Sequence, residues 1–212
     1  MPLHRRRLLR SACVGIVGGV AGCSSLLTDG GDGDDPQALQ FDGAVVDQPS
    51  ADAPARTEIR IENAGDTELG VKHADVGASP FEFVSGRSGE HGEVMLLPEQ
   101  SSQVDVRRGE RRREVGCWRV VDGDDGEAYV SFILMAPAVH IPGGETYTAR
   151  QQVYYHGPAD RCLPAGEYRT EVAVEIGQPR GDQNLESGSS IEQNVMCTLR
   201  VGQDGRLSLS LS

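Results

Sequence analysis

The sequence contains almost no lysine and few aromatic residues. Lys72 is its only lysine, so arginine supplies nearly all of the 20 basic side chains, against 32 acidic ones. Aromatic residues make up 5% of the 212 positions, whereas glycine occurs 27 times. Because glycine weakens helix interiors, this composition disfavours a helical bundle and favours strands and loops. The hydrophobic share of 38% still suffices for the core of one domain.

Patterns for membrane-spanning and amphipathic helices are also missing. A bilayer-spanning helix needs roughly 20 apolar residues, and the apolar segment at residues 11–22 has only twelve. No long stretch has apolar residues at helical spacing without an intervening glycine or proline. The sequence therefore predicts neither a transmembrane helix nor a helical domain.

Catalytic and metal-binding patterns are missing too. The histidines beyond residue 37 never lie within four residues of one another, so they lack the spacing of a helical metal site. They are His73, His91, His140 and His156. His73 and His140 could share a site assembled by the fold, or be partly buried structural side chains. His156 lies near Cys162, which allows a Cys–His nucleophile or a disulfide beside a loop histidine. We predict no catalytic residue, no metal site, no cofactor and no enzymatic activity.

The first 23 residues combine three features in a fixed order. Paired arginines precede two leucines, the weakly apolar segment 11–22 follows, and small residues then precede Cys23. The residues of the basic segment are Arg5, Arg6, Leu8 and Leu9. This order resembles the twin-arginine signal peptide of exported lipoproteins, in which the lipobox cysteine takes the lipid.

The resemblance implies that residues 1–22 are a signal peptide and that Cys23 becomes the acylated first residue. The domain would then be held on the outer face of the cytoplasmic membrane. A short N-terminal helix with an incidental cysteine is the alternative. Residues 23–37 are rich in aspartate and glycine, which predicts a flexible acidic tether. A calcium loop is disfavoured, because the segment lacks the ligand order and the closing glutamate of such a loop.

The acidic excess limits the class of partner. Residues 1–22 hold four arginines and no acidic residue, so the rest of the chain has 16 basic and 32 acidic residues, a net charge of −16. Such a chain repels nucleic acid phosphates, and we predict no nucleic acid partner. An acidic excess with almost no lysine resembles proteins of halophilic archaea, which work in strongly screening salt. A high-GC genome would also replace lysine by arginine.

From residue 38 onward, apolar and polar residues alternate with the period of half-buried strands. Segments rich in Gly, Pro, Asn and Asp separate the alternating runs and predict turns. The predicted strands are 39–47, 56–62, 67–73, 80–85, 92–97, 102–107, 116–121, 127–135, 145–156, 168–176, 195–201 and 207–211. The pattern predicts an all-β fold, an elaborated antiparallel β-sandwich over residues 38–212 in preference to two small domains.

Three segments carry a further resemblance. Residues 141–147 and 163–168 place a proline–glycine turn before a strand that begins near a tyrosine, and residues 56–66 end a strand with Asn-Ala-Gly-Asp. They resemble immunoglobulin-like domains of bacterial and archaeal surface proteins. The resemblance implies an immunoglobulin-like sandwich with Tyr168 as a corner tyrosine, its ring inward and its hydroxyl bonded to backbone. It implies no activity.

Three cysteines remain if Cys23 carries lipid. Cys197 falls on the apolar side of its strand, which predicts a buried thiol. We predict a disulfide between Cys117 and Cys162, which would close a loop of about 45 residues in an oxidising compartment. Three reduced cysteines are the alternative.

A basic island interrupts the acidic chain and consists of Arg107, Arg108, Arg111, Arg112 and Arg113. Guanidinium groups bind carboxylates and phosphates through paired hydrogen bonds, so the island could dock an acidic protein, an anionic glycan or a phosphate-bearing lipid head group. Alternatively, it is a solvated loop whose arginines pair with nearby carboxylates. The acidic residues at 122–126 similarly predict a hairpin loop, with a calcium loop as the alternative.

Together these features predict a halophilic-type cell-surface lipoprotein that acts as a non-enzymatic interaction or structural module. The alternative is a small-ligand or metal-binding accessory lipoprotein for a transporter or electron-transfer complex, suggested by the anchor, Trp118 and the histidines. The expected partners are the membrane, through the lipid, and a protein or anionic glycan. The sequence leaves the oligomeric state open.

Overall fold

The computed structural model describes most of the chain beyond residue 37. The described residues are 38–74, 80–81, 84–87, 92–99, 104–114, 116–124, 126–132, 138–158, 160–181, 184–186 and 190–212. They lie within one compact unit, Asp35–Ser212. The predicted signal peptide, Cys23, the tether, His91 and Asp125 lie outside the described residues. No helix in the described part has the length and hydrophobicity needed to cross a membrane.

Strands dominate the described residues, which contain no α-helix. The first eight are β1 (Leu39–Asp47), β2 (Arg56–Asn63), β3 (Leu69–His73), β4 (Val84–Arg87), β5 (Glu93–Pro98), β6 (Val104–Arg107), β7 (Gly109–Glu114) and β8 (Cys117–Asp122). The others are β9 (Tyr129–Phe132), β10 (Val139–Ile141), β11 (Thr146–His156), β12 (Gly166–Gly177), β13 (Pro179–Arg180), β14 (Asn184–Leu185), β15 (Ile191–Val201) and β16 (Leu207–Leu211).

Two antiparallel layers face each other across the main core. One has the order β1-β2-β11-β5 and the other the order β3-β12-β15-β16, with β10 beside β3. β4 pairs with both β5 and β12 and thereby joins the layers on one side. On the other side the Gln48 side chain pairs with the backbone N–H and carbonyl of Leu207, at 2.8 and 2.9 Å. The predicted all-β antiparallel sandwich is confirmed.

The main core consists of the inward-facing residues that the period-two pattern marks as apolar. The two layers contribute aliphatic side chains to one continuous cluster, among them Ile59, Ile61, Val94, Leu96, Val172, Val174 and Leu199. A one-residue slip of β2 or β12 would place charged side chains in this cluster, so the alternation fixes the register of these strands.

A smaller third layer covers the back of β5 and β11. It consists of the hairpin β7–β8 and the pair β6–β9, and it encloses a second core cluster around Met95, Leu97 and Tyr154. β5 is therefore buried on both faces, because Val94 and Leu96 point into the main core. A strand covered on both faces has a continuous apolar run instead of alternation, as residues 94–97 do.

Buried polar side chains hold the turns at the ends of the sandwich. The Asn63 amide donates to the carbonyls of Thr67 (2.7 Å) and Ile141 (2.9 Å) and accepts from the backbone N–H of Gly65 (3.1 Å). The Tyr168 ring is buried and its hydroxyl donates to the Pro164 carbonyl at 2.9 Å. The corner-tyrosine geometry implied by the immunoglobulin resemblance is therefore present.

Two sequence predictions about local structure are wrong. The strand predicted at 80–85 lies instead at Val84–Arg87. Phe81 is in a turn with a φ of 55°, and its carbonyl accepts a hydrogen bond from the buried Gln151 side chain. The basic island is not a loop: its second half is strand β7, paired with β8 along its whole length. An extended strand lets neighbouring arginines project to opposite faces, which lowers their mutual repulsion.

Candidate functional site

A disulfide fixes the loop after β11 to the start of β8. Cys117 begins β8 and Cys162 lies in that loop, with Cα atoms 5.3 Å apart. The predicted pairing is confirmed, and Cys197 is a buried free thiol as expected. Burial raises the pKa of Cys197 to about 12, so its reactive thiolate is rare at neutral pH. Because Cys162 is bonded to sulfur, it offers no thiolate that His156 could activate.

Arg119 holds the same loop from inside the protein. Its side chain is only 4% exposed, and its guanidinium lies over the Tyr155 ring, 5.2 Å from the ring centre. It donates to three backbone carbonyls of the loop, those of Gly157, Pro158 (3.1 Å) and Arg161 (2.9 Å). A carboxylate oxygen of Glu114 lies 3.9 Å from its Nε. The loop that carries Cys162 is therefore fixed by a covalent bond and by a buried cation.

An apolar groove of about 360 Å³ opens beside this disulfide. Its walls come from the β1–β2 connection, the start of β8 with the disulfide, and the β15–β16 hairpin. The apolar lining includes Pro49, Ala55, Trp118, Val153, Leu163 and Leu207. The Trp118 indole N–H donates to the Ser50 carbonyl at 3.0 Å. This bond fixes the tryptophan between the hairpin that carries it and the β1–β2 connection.

The structure distributes the basic island over two faces of the β7–β8 hairpin. Directly opposed residues of an antiparallel pair share a face. Arg113 lies opposite Trp118, so both project toward the face that carries the groove, whereas Arg112 lies opposite Arg119 on the other face. Arg111, two residues before Arg113, is on the tryptophan face. The five arginines therefore do not share one surface.

Most of the island arginines are engaged by their neighbours. Arg107 pairs with Asp105 (3.2 Å), Arg108 lies over the Tyr129 ring, Arg111 donates to the Pro98 carbonyl (3.0 Å), and Arg112 pairs with Glu110 and with Glu114 (3.1 Å). Arg113 differs: no hydrogen bond or ion pair joins it to any residue that the structure describes. It lines the groove instead.

The histidines considered for a metal site are dispersed. His140 lies opposite Gly70 in the β10–β3 pair, so it projects from one face of β3 while His73 projects from the other. In the described ranges, no group of three or more His, Cys, Asp and Glu side chains could hold a metal ion. The segment after β8 closes as a turn through a Gly123–Gly126 bridge.

His156 connects three strands at the edge of the third layer. Its Nε2 lies 3.1 Å from the Asp122 carboxylate and its Nδ1 lies 4.0 Å from that of Glu93. The Glu93 carboxylate contributes most to raising the pKa of His156, burial opposes it, and Asp122 adds to the increase. The Ala128 backbone N–H and then His156 lower the pKa of Asp122.

We expect His156→Gln to cost more stability at pH 6 than at pH 8.5. A pKa raised by folding stabilises the folded state below the unfolded value of about 6.5, and this contribution is lost as the pH rises through the folded value. Denaturant unfolding of both proteins at the two pH values measures the difference. An equal loss at both pH values would show that the imidazolium charge contributes nothing. The contribution of Asp122 to stability has the opposite pH dependence, because it disappears as the pH falls through the lowered pKa of Asp122.

No protein-family model matches the chain, and a search of curated proteins gave no match. The groove and the N-terminal sequence are the features of this protein that bear on its function.

Two parts of this site have no clear signal in the sequence. Arg119 resembles an ordinary strand arginine in sequence, and its burial depends on the loop that folds over it. The groove wall from the β1–β2 connection is far from Trp118 in sequence, and only the fold brings Pro49 and Ser50 to it. The one local signal was the pairing of the single tryptophan with a cysteine at 117–118.

Proposed function

We propose that this protein is a lipid-anchored, extracytoplasmic β-sandwich that acts as a non-enzymatic interaction module at the cell surface. The observation that carries the location is the Cys117–Cys162 disulfide, because cytosolic thiols are normally kept reduced. A chain that begins with paired arginines and a lipobox-type cysteine would reach an oxidising compartment through export. A twin-arginine route would deliver the sandwich already folded.

The acidic surface fits this location in a high-salt environment. With a net charge of −16 after residue 22, the domain would remain soluble where salt screens the repulsion between carboxylates. Long-range attraction to a partner is screened under the same conditions. Recognition would then depend on short contacts and on buried apolar surface, and the groove beside Trp118 offers both.

We expect Cys23→Ser to release the protein from the membrane into the medium. The serine hydroxyl cannot form the thioether that carries the lipid, and no helix of the described residues can replace it as an anchor. Membrane fractionation with an antibody against the sandwich measures the release, and Cys197→Ser is the matched control because that thiol is buried. Full membrane retention of Cys23→Ser would refute lipidation as the sole anchor.

Capture of partners from native membranes tests the interaction role, and variants near the groove test whether the groove binds the partner. Wild-type protein is compared with Arg113→Glu, which reverses the charge at the groove, and with Arg112→Glu, which reverses it on the other face of the same strand. Loss of a protein or glycan partner with Arg113→Glu alone would assign recognition to the groove face. An unchanged partner list with both variants would exclude Arg112 and Arg113 as docking residues.

A small-ligand accessory role is the second candidate, and the groove is the observation that favours it. Its volume of about 360 Å³ lies in the range of small-molecule sites, about 300–1,000 Å³. Trp118 and the disulfide supply a rigid apolar wall. A ligand-induced increase in melting temperature would support this role over a purely structural one.

A further inference from the structure

We propose that the groove binds a small apolar ligand with a single anionic head group, which Arg113 contacts while the tail lies along Trp118 and the disulfide. This inference rests on the second candidate function and names its ligand class. It follows from the chemistry of the groove lining and from the one island arginine for which the described residues supply no partner.

The groove lining is apolar except at one point. Among the described residues that line it, Arg113 is the only charged one, and Ser50 is the only other one with a polar side chain besides the tryptophan. The Ser50 hydroxyl already accepts the backbone N–H groups of Asp52 (3.2 Å) and Ala53 (3.0 Å), and the Trp118 indole N–H is bonded to the Ser50 carbonyl. The Arg113 guanidinium is therefore the polar group left for a ligand.

The missing partner of Arg113 is informative because carboxylates outnumber basic groups in this chain, 32 against 20. Arg112, its neighbour in sequence, pairs with two glutamates, while Arg113 faces a lining that contains no acidic residue. Arg113 is exposed to solvent, but an anion held between it and the apolar walls would be shielded from part of the solvent, which strengthens the ion pair. Its planar fork matches a carboxylate in particular.

The same lining disfavours other ligand classes. A divalent cation would need several oxygen ligands, and the described lining of the groove contains no carboxylate. A nucleotide or another multiply charged phosphate would normally use several basic or backbone N–H groups, and only one arginine is present. An uncharged apolar molecule would gain nothing from the guanidinium, because the Arg113 side chain is exposed to solvent. An apolar carboxylate would pack its tail against the apolar walls and pair its head group with the Arg113 guanidinium.

The single tryptophan makes the test direct, since Trp118 is the only one in the chain. The purified full-length protein is titrated with octanoate, octanol, octylammonium and acetate while tryptophan emission is recorded. We expect a saturable change with octanoate, a weaker one with octanol, and none with octylammonium or acetate. A parallel increase in melting temperature with octanoate would confirm that the folded state binds it.

Two matched variants assign the head group contact. Arg113→Gln should weaken octanoate binding at least about tenfold, as expected for loss of a charge-assisted pair, and leave octanol binding unchanged. Arg112→Gln, on the opposite face of β7, should leave both unchanged. Equal binding of octanoate and octylammonium, or an unaffected Arg113→Gln variant, would overturn the proposal.

Vesicles of phosphatidylglycerol, an anionic membrane lipid, distinguish a free ligand from a membrane surface. A tryptophan response to vesicles without a response to octanoate would overturn the proposal in favour of a lipid headgroup. The test is separable from the proposed surface role. If no ligand produced a response while Cys23→Ser was still released and a partner was still captured, the ligand proposal would be refuted. The proposed role as a surface interaction module would stand.

Discussion

Arg119→Ala is expected to lower the free energy of unfolding by about 3–5 kcal/mol, because each buried acceptor left without its donor costs about 1–3 kcal/mol. The substitution removes the donors of three loop carbonyls and leaves those carbonyls in a partly buried site. It also removes the cation from the face of Tyr155. Urea unfolding at fixed salt concentration measures the loss as a decrease in the transition midpoint.

An exposed arginine gives the matched control for this prediction. Arg150, whose side chain is 69% exposed, pairs with Glu58 at 3.1 Å, and its replacement by alanine should cost less than about 1 kcal/mol. Arg119→Lys should be intermediate, because one ammonium group cannot reach all three carbonyls with the geometry of the guanidinium fork. If Arg119→Ala cost no more than Arg150→Ala, the buried arginine would not be what holds the loop.

Removing the disulfide is the second large effect. The double variant Cys117→Ala with Cys162→Ala should lose about 4 kcal/mol in the chain-entropy treatment, since the bridge closes a loop of 45 residues. Reductant should produce a similar loss in the wild-type protein and none in the double variant. Cys197→Ala is the control, and it should lose only the smaller packing contribution of a buried sulfur atom.

Counting free thiols tests the same bridge chemically. Under denaturing, non-reducing conditions the chain beyond Cys23 should show one thiol, that of Cys197. Under native conditions even that thiol should react slowly, because burial raises its pKa to about 12. Three thiols in the denatured protein would contradict the disulfide and remove its support for an oxidising location.

The strands that the sequence predicted best are those with one buried face. β1 and β16 have the predicted bounds, and β11 and β12 are close to them, because alternation of apolar and polar residues is a local signal. The predictions failed where a neighbour overrides this signal. Phe81 belongs to a turn because its carbonyl meets Gln151 from a distant strand, and β7 carries arginines on both faces because β8 supplies its partners.

The candidate site was less predictable than the fold. The disulfide could be inferred by elimination, since Cys197 lies on an apolar strand face and leaves two cysteines. By contrast, a row of five arginines in the sequence suggested one surface. Only the pairing of β7 with β8 separates Arg112, with its two glutamates, from Arg113 beside Trp118. Periodicity assigns side chains to faces only after the extended state of the segment is known.

The sequence predicts from local patterns an all-β sandwich, a pairing of Cys117 with Cys162 and a buried Cys197. It also contains the N-terminal features on which the surface location is proposed. The groove and the loop around Arg119 could not be predicted in this way, because they are assembled from segments far apart in the chain. The β1–β2 connection meets β8 across 68 residues at the bond from Trp118 to Ser50. Local patterns carry no information about such contacts, whose cost in chain entropy is offset only when the whole sandwich packs.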